Sequence, residues 1–129
     1  MYATLSEKEE FLGKQVVDIA YNIHSSPGPG LLESVYEKCF AHELANREIP
    51  FKRQMAVPIY YNELKTDDGL RLDLIIDDCI IVELKAQDLY HPVWDAQMLS
   101  YLKLSGNRLG FLINFHVPLI KNGIKRIIR

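Results

Sequence analysis

The chain opens on two stretches in which apolar residues return every third or fourth position. Phe11, Val16, Ile19, Ala20 and Ile23 form one stripe, and Leu32, Val35, Tyr36, Cys39, Phe40 and Leu44 form a cleaner one. That period predicts two amphipathic helices. Between them runs Ser25-Ser26-Pro27-Gly28-Pro29-Gly30, which reads as a stiff turn. The pattern then changes. Phe51 to Tyr61 is rich in aromatic and β-branched residues and predicts a strand, with Pro58 placing it at a sheet edge or at a bend. Leu70 to Ile76 and Ile80 to Ala86 are apolar runs parted by an acidic turn at Asp77 and Asp78, the signature of a hairpin. Neither run alternates between apolar and polar, so the hairpin belongs in mid-sheet with both faces covered. Helical spacing returns from His91 to Ser105 through Trp94, Met98, Tyr101 and Leu102, with Gly106 and Asn107 as a C-terminal stop. Leu109 to Asn114 and Ile124 to Ile128 close the chain as short strands. The order α-α-β-β-β-α-β-β predicts an α/β fold, a mixed central sheet flanked by helices, in one domain spanning residues 1–129.

Composition agrees with one domain. Of 129 residues 48% are apolar, enough for one core, and 25% are charged, as in ordinary globular proteins. The formal charge of -2 lacks the basic excess usual in nucleic-acid binders, although Lys121, Lys125, Arg126 and Arg129 crowd the C-terminus. Cys39 and Cys79 form neither a disulfide framework nor a zinc pattern, which points to a reducing compartment. Residues 1–11 are acidic and lack the apolar stretch of a signal peptide, and no apolar run is of membrane-spanning length. A cytoplasmic protein without membrane association is the expectation.

The anomaly lies in the hairpin. Beyond Arg71 at the start of the first run, Asp73, Glu83 and Lys85 are the charges inside two strands otherwise made almost wholly of Leu, Ile and Val. Glu83 and Lys85 share one face of their strand, and Ile80, Val82 and Leu84 take the other. A two-residue turn would set Asp73 opposite Val82, on the wrong face. A three-residue loop or a bulge sets it opposite Glu83. Burying a carboxylate costs several kcal/mol unless it is paired or bound to metal. Two carboxylates beside one lysine suit a divalent cation such as Mg²⁺ or Mn²⁺. The alternative is a plain Glu83–Lys85 ion pair with a solvated Asp73, and spacing alone leaves both open.

Asp73 followed by Glu83-Leu84-Lys85 resembles the PD-(D/E)XK nuclease superfamily, with Leu72 standing where that motif has proline. Gly30-Leu31-Leu32-Glu33-Ser34-Val35-Tyr36 resembles the signature of the GxxExxY family, a branch of the same superfamily. The similarity continues around Tyr21 to His24, Tyr60-Tyr61, Arg71 to Lys85, Gln97 to Tyr101 and Leu112 to Pro118. The resemblance implies a restriction-endonuclease-like core. It also implies a metal site formed by Asp73, Glu83 and the Leu84 carbonyl, with Glu33 as a further ligand and Lys85 assisting catalysis. Glu33 also has a simpler reading as a first-turn carboxylate favoured by the helix dipole. Gln97 and Tyr101, four apart on one helical face, resemble the Q-x-x-x-Y element of RecB-type nucleases. With Tyr36 they are the substrate-binding candidates, although packing is the simpler reading of Tyr36; His91 is a loop residue that could carry a proton. The resulting expectation is a metal-dependent nuclease acting on nucleic acid. The competing readings are a catalytically inactive module of the same fold that binds nucleic acid or protein, and a structural or regulatory homo-oligomer.

Overall fold

The structure is a computed structural model and describes residues 4–129. The first three residues of the acidic N-terminal stretch lie outside the described residues. Helix α1 (Glu7–Ser25) starts at a capping box: the Ser6 hydroxyl accepts from the Glu9 amide, and the Glu9 carboxylate accepts from the Ser6 amide. Helix α2 (Glu33–Asn46) follows the Pro-Gly turn, then strands β1 (Phe51–Tyr61), β2 (Leu64–Ile76) and β3 (Ile80–Lys85). Helix α3 (Val93–Ser105), strand β4 (Leu109–Asn114), a single 3-10 turn (Ile120–Asn122) and strand β5 (Ile124–Ile128) complete the chain. Gly106 ends α3 in the left-handed conformation, φ 76°, as its position predicts.

The five strands lie in the order β1-β2-β3-β4-β5, with β3 and β4 parallel across the α3 crossover and the other neighbours antiparallel. The hairpin predicted for mid-sheet therefore supplies the second and central strands. Helices α1 and α2 cover one face, burying Val16, Ile19, Phe40 and Leu44 against Leu74, Val82, Leu84 and Phe111. Helix α3 covers the other, with Trp94, Met98 and Leu102 on Leu72, Ile81 and Leu112. A sheet buried on both faces explains the unbroken apolar runs. Phe11, Leu32 and Val35, which helical spacing puts on apolar faces, are exposed instead, and Leu12 takes the inward position on α1.

Strand β1 is an edge, and its register with β2 shifts between Val57 and Ile59, at Pro58. Both expectations drawn from that proline hold, because a residue without an amide hydrogen suits an edge and a bulge alike. Strand β2 begins six residues earlier than its apolar run. Leu64, Lys65 and Thr66 pair with β1 in a two-stranded arm whose tip is exposed, so no burial pattern marks them.

Candidate active site

The turn of the β2–β3 hairpin sets the register. Ile76 pairs with Ile80, which leaves Asp77, Asp78 and Cys79 as a three-residue loop. Asp77 and Asp78 adopt positive φ of 50° and 51°, a conformation that short acidic side chains tolerate. Leu74 then pairs with Val82, and one step further Asp73 stands level with Glu83. The odd residue that the sequence demanded is present.

At that step the ladder opens. Side chains take over the bonds that backbone groups would have made: the Asp73 amide donates to Glu83 Oε1 at 3.1 Å, and the Leu84 amide donates to Asp73 Oδ2 at 2.9 Å. Strands β1 and β2 also change face here. Leu74 packs under α1 and α2 whereas Leu72, two residues away, packs under α3, which a regular strand cannot do. Across the pair, Gln54 absorbs the change at φ 50° and its side-chain amide reaches Asp73 Oδ1 at 3.4 Å. Asp73 thus sits in the crotch of a forked sheet, with its carboxylate turned toward β3.

Glu83 is buried, and burial together with the neighbouring Asp73 charge pushes its carboxyl up to about 9. Lys85, one pleat on, shares the α3 face and lies over the Trp94 ring, its ammonium 5.3 Å from the centroid. The plain Glu83–Lys85 ion pair does not occur among the described residues. Opposite, Glu33, Ser34, Glu37, Gln54, Asp73 and Leu84 line a cleft of about 440 Å³. Glu33 is the first residue of α2, beginning after Leu32 rather than directly after Gly30. Its carboxyl is raised by partial burial and by Asp73, against the opposing pull of Lys85 and a hydrogen bond from Gln87. Glu33 therefore feels both Asp73 and Lys85.

Tyr36 belongs to the scaffold. Its ring is fully buried and stacks on Phe115, centroids 4.3 Å apart. Its hydroxyl donates to the Gly28 carbonyl at 2.6 Å and accepts from the Leu31 amide at 3.1 Å. These contacts match the packing reading of Tyr36, with ring and hydroxyl both engaged within the scaffold. Tyr36 clasps the turn in which Gly28 and Gly30 take positive φ, and so fixes where Glu33 enters the cleft. Tyr36→Phe is expected to lower unfolding free energy by about 1–3 kcal/mol, because the Gly28 and Leu31 groups lose their partner. Chemical denaturation checks it; unchanged stability with a raised KM would instead mark a substrate contact.

Of the other candidates, Tyr101 is half-buried, its phenol raised by burial and then by the charges of Glu83 and Asp73, which places it beside the fork. Gln97 is exposed on α3 one turn away. His91 is exposed and packs edge-on against Trp94. Spacing did not single out Glu37, Arg53, Gln54, Gln87 or Asn114. Glu37 is buried and held by Arg53 at 2.8 Å and by Gln54 at 2.5 Å. Its signal was available, four residues after Glu33 on the same helical face. Buried Asn114 ties β4 to the end of β3 through both main-chain groups of Gln87.

The PD-(D/E)XK nuclease superfamily model matches residues 10–127, nearly the whole chain. The chain belongs to the PD-(D/E)XK nuclease superfamily. Neither a curated protein nor a solved structure matches it significantly. The α/β fold, with a mixed sheet between helices, is that of this superfamily, whose members typically use divalent metal ions. The donor set suits such an ion. Asp73 and Glu83 are adjacent carboxylates whose charges one lysine cannot cancel, and burial with the neighbouring Asp73 disfavours a charged Glu83 where no cation is bound. Among the described residues no three His, Cys, Asp or Glu side chains cluster tightly enough to hold an ion alone. Two adjacent carboxylates leave most positions around a hard divalent cation to water. Within the C-terminal basic cluster, Lys125 pairs with Asp95 and Arg126 with Glu10. No helix among the described residues is long and apolar enough to cross a membrane.

Proposed function

We propose that this protein is a Mg²⁺- or Mn²⁺-dependent phosphodiester hydrolase acting on nucleic acid, of the GxxExxY branch. The observation that carries this reading is the convergence of Asp73 and Glu83 at the fork of the sheet, with Lys85 on the same strand as Glu83. The branch assignment is supported by Gly30, Glu33 and Tyr36 acting as one device, in which a positive-φ turn and a tyrosine clasp aim a carboxylate into the cleft. Two free cysteines suit a reducing, cytoplasmic setting.

Asp73, Glu83 and the Leu84 carbonyl would hold the cation, with Glu33 joining from α2. A divalent ion there supplies a Lewis acid that lowers the pKa of a water and offsets charge on the phosphate. The chain's own residues do the rest. Lys85, whose ammonium lies over the Trp94 ring beside the fork, would offset the negative charge that grows on the phosphate oxygens. Tyr101 and Gln97 border the approach to the fork from α3.

The cleft is acidic, with Glu33, Glu37 and Asp73 lining it and Arg53 offsetting only Glu37. A phosphate enters such a cleft readily once a cation occupies it. The test is plasmid and oligonucleotide cleavage with Mg²⁺ or Mn²⁺, with and without chelator. Cutting that needs the metal supports the reading. Salt-dependent binding with no cutting, unaffected by Asp73→Asn, would make the protein an inactive module of the same fold.

A further inference from the structure

From the fork, β3 leads into a loop whose residues Leu89, Tyr90, His91 and Val93 are all exposed. Three rings gather there. Tyr90 meets Trp94 edge-on at 5.1 Å between centroids, and His91 meets Trp94 edge-on at 5.4 Å. Pro92 and the bond from the Trp94 amide to the His91 carbonyl, 3.0 Å, hold the loop in one shape. Trp94 is almost fully buried and serves as the foundation, while Tyr90 remains 45% exposed. Exposed aromatic and aliphatic side chains in an ordered stretch mark a contact surface rather than a core.

The cluster is joined to the chemistry through one residue. The Lys85 ammonium that rests over Trp94 is the amine placed above at the scissile phosphate. Lys125 lies on the far side, 5.3 Å from the Tyr90 ring and 3.4 Å from its hydroxyl, with Asp95 sharing its charge. An aromatic face flanked by ammonium groups is complementary to one repeating chemistry, a base followed by a phosphate.

Resting on the nuclease reading above, we propose that Tyr90 and His91, supported by Trp94, form a stacking platform for an unpaired base next to the scissile phosphate, so that the substrate is single-stranded nucleic acid. A base inside a duplex has both faces covered by its neighbours, whereas an unpaired base can lay one face on a tyrosine. The platform is sequence-tolerant, since every base has such a face. It also brings binding energy to a cleft that is otherwise acidic.

Trp94 is the sole tryptophan of the chain, so its emission reports on this cluster alone. In chelator, where nothing is cut, a short oligothymidylate is expected to change Trp94 emission saturably, and a duplex of equal length to bind about ten-fold more weakly. Tyr90→Ala should weaken oligothymidylate binding about ten-fold, and Tyr90→Phe should restore it, because the ring and not the hydroxyl stacks. Equal binding by wild type and Tyr90→Ala, or a duplex bound as tightly as the single strand, overturns the platform. The two readings fail separately. Cutting in Mn²⁺ that ignores Tyr90→Ala removes the platform and leaves the nuclease, whereas Tyr90-dependent binding without cutting removes the nuclease and leaves the platform.

Discussion

Lys85→Ala is expected to reduce Mg²⁺- or Mn²⁺-dependent cleavage by about 10²–10⁴-fold, the range for removing a positioned charge or proton-transfer group. Lys85 is the cation adjoining the Asp73–Glu83 pair, and among the described residues it has no carboxylate partner to whose stability it is dedicated. Loss of its contact with Trp94 costs about 0.5–1 kcal/mol, so the variant stays folded. Asp73 differs, because its carboxylate caps the Leu84 amide where the ladder opens. Asp73→Ala would combine lost activity with lost stability, and Asp73→Asn is the cleaner partner, since its side-chain oxygen can still accept from that amide. Steady-state cleavage beside a denaturation curve separates the effects. Metal-dependent cutting retained by both Lys85→Ala and Asp73→Asn would defeat the assignment.

Glu83→Gln is expected to stabilise the metal-free protein, by about 1–3 kcal/mol at pH 7. The Glu83 carboxyl lies near 4.5 when solvated and is pushed up to about 9 by burial and by Asp73. A raised carboxyl favours the folded state only while protonated. Its contribution is complete below pH 4.5 and is lost as pH rises from there through 9. Glutamine reproduces the neutral acid, accepting from the Asp73 amide with its oxygen and donating toward the Asp73 carboxylate. The stability gap should therefore be small at pH 5, widen toward pH 8, and be measurable by urea denaturation in chelator. Divalent metal should reverse the order. A cation takes the place of the proton on wild type, worth about 2.7 kcal/mol at a hundred times the dissociation constant, and gains little on the variant. A gap that is independent of pH would mean that Glu83 is not held in this way.

Much of the scaffold was legible in the residues because this sheet is covered on both faces. β4 follows from its apolar run, and the centrality of β3 follows from its lack of alternation. The acidic turn at Asp77 and Asp78 marked the hairpin, and the same-face condition on Asp73 and Glu83 required the odd loop residue that the register contains. What stayed hidden has physical reasons. The tip of the β1–β2 arm, with Tyr60, Tyr61 and Leu64, is exposed, so hydrophobic pattern carries no signal there. The exchange of faces between Leu72 and Leu74 leaves both residues buried and apolar, so the sequence reads as one regular strand. Tyr36 was ambiguous because a tyrosine at a helix start suits a site or a core, and only its bonds to Gly28 and Leu31 decide between them. Glu37 and Gln54 act on Asp73 only through contacts across elements, which no spacing encodes.

The most direct test is the position of Mn²⁺ in a crystal soaked with it, located by anomalous scattering. The account predicts one strong peak shared by the Asp73 and Glu83 carboxylates and the Leu84 carbonyl, absent in Glu83→Gln. Density elsewhere, or a fork whose two acids remain bound only to the Leu84 and Asp73 amides at saturating Mn²⁺, would contradict it.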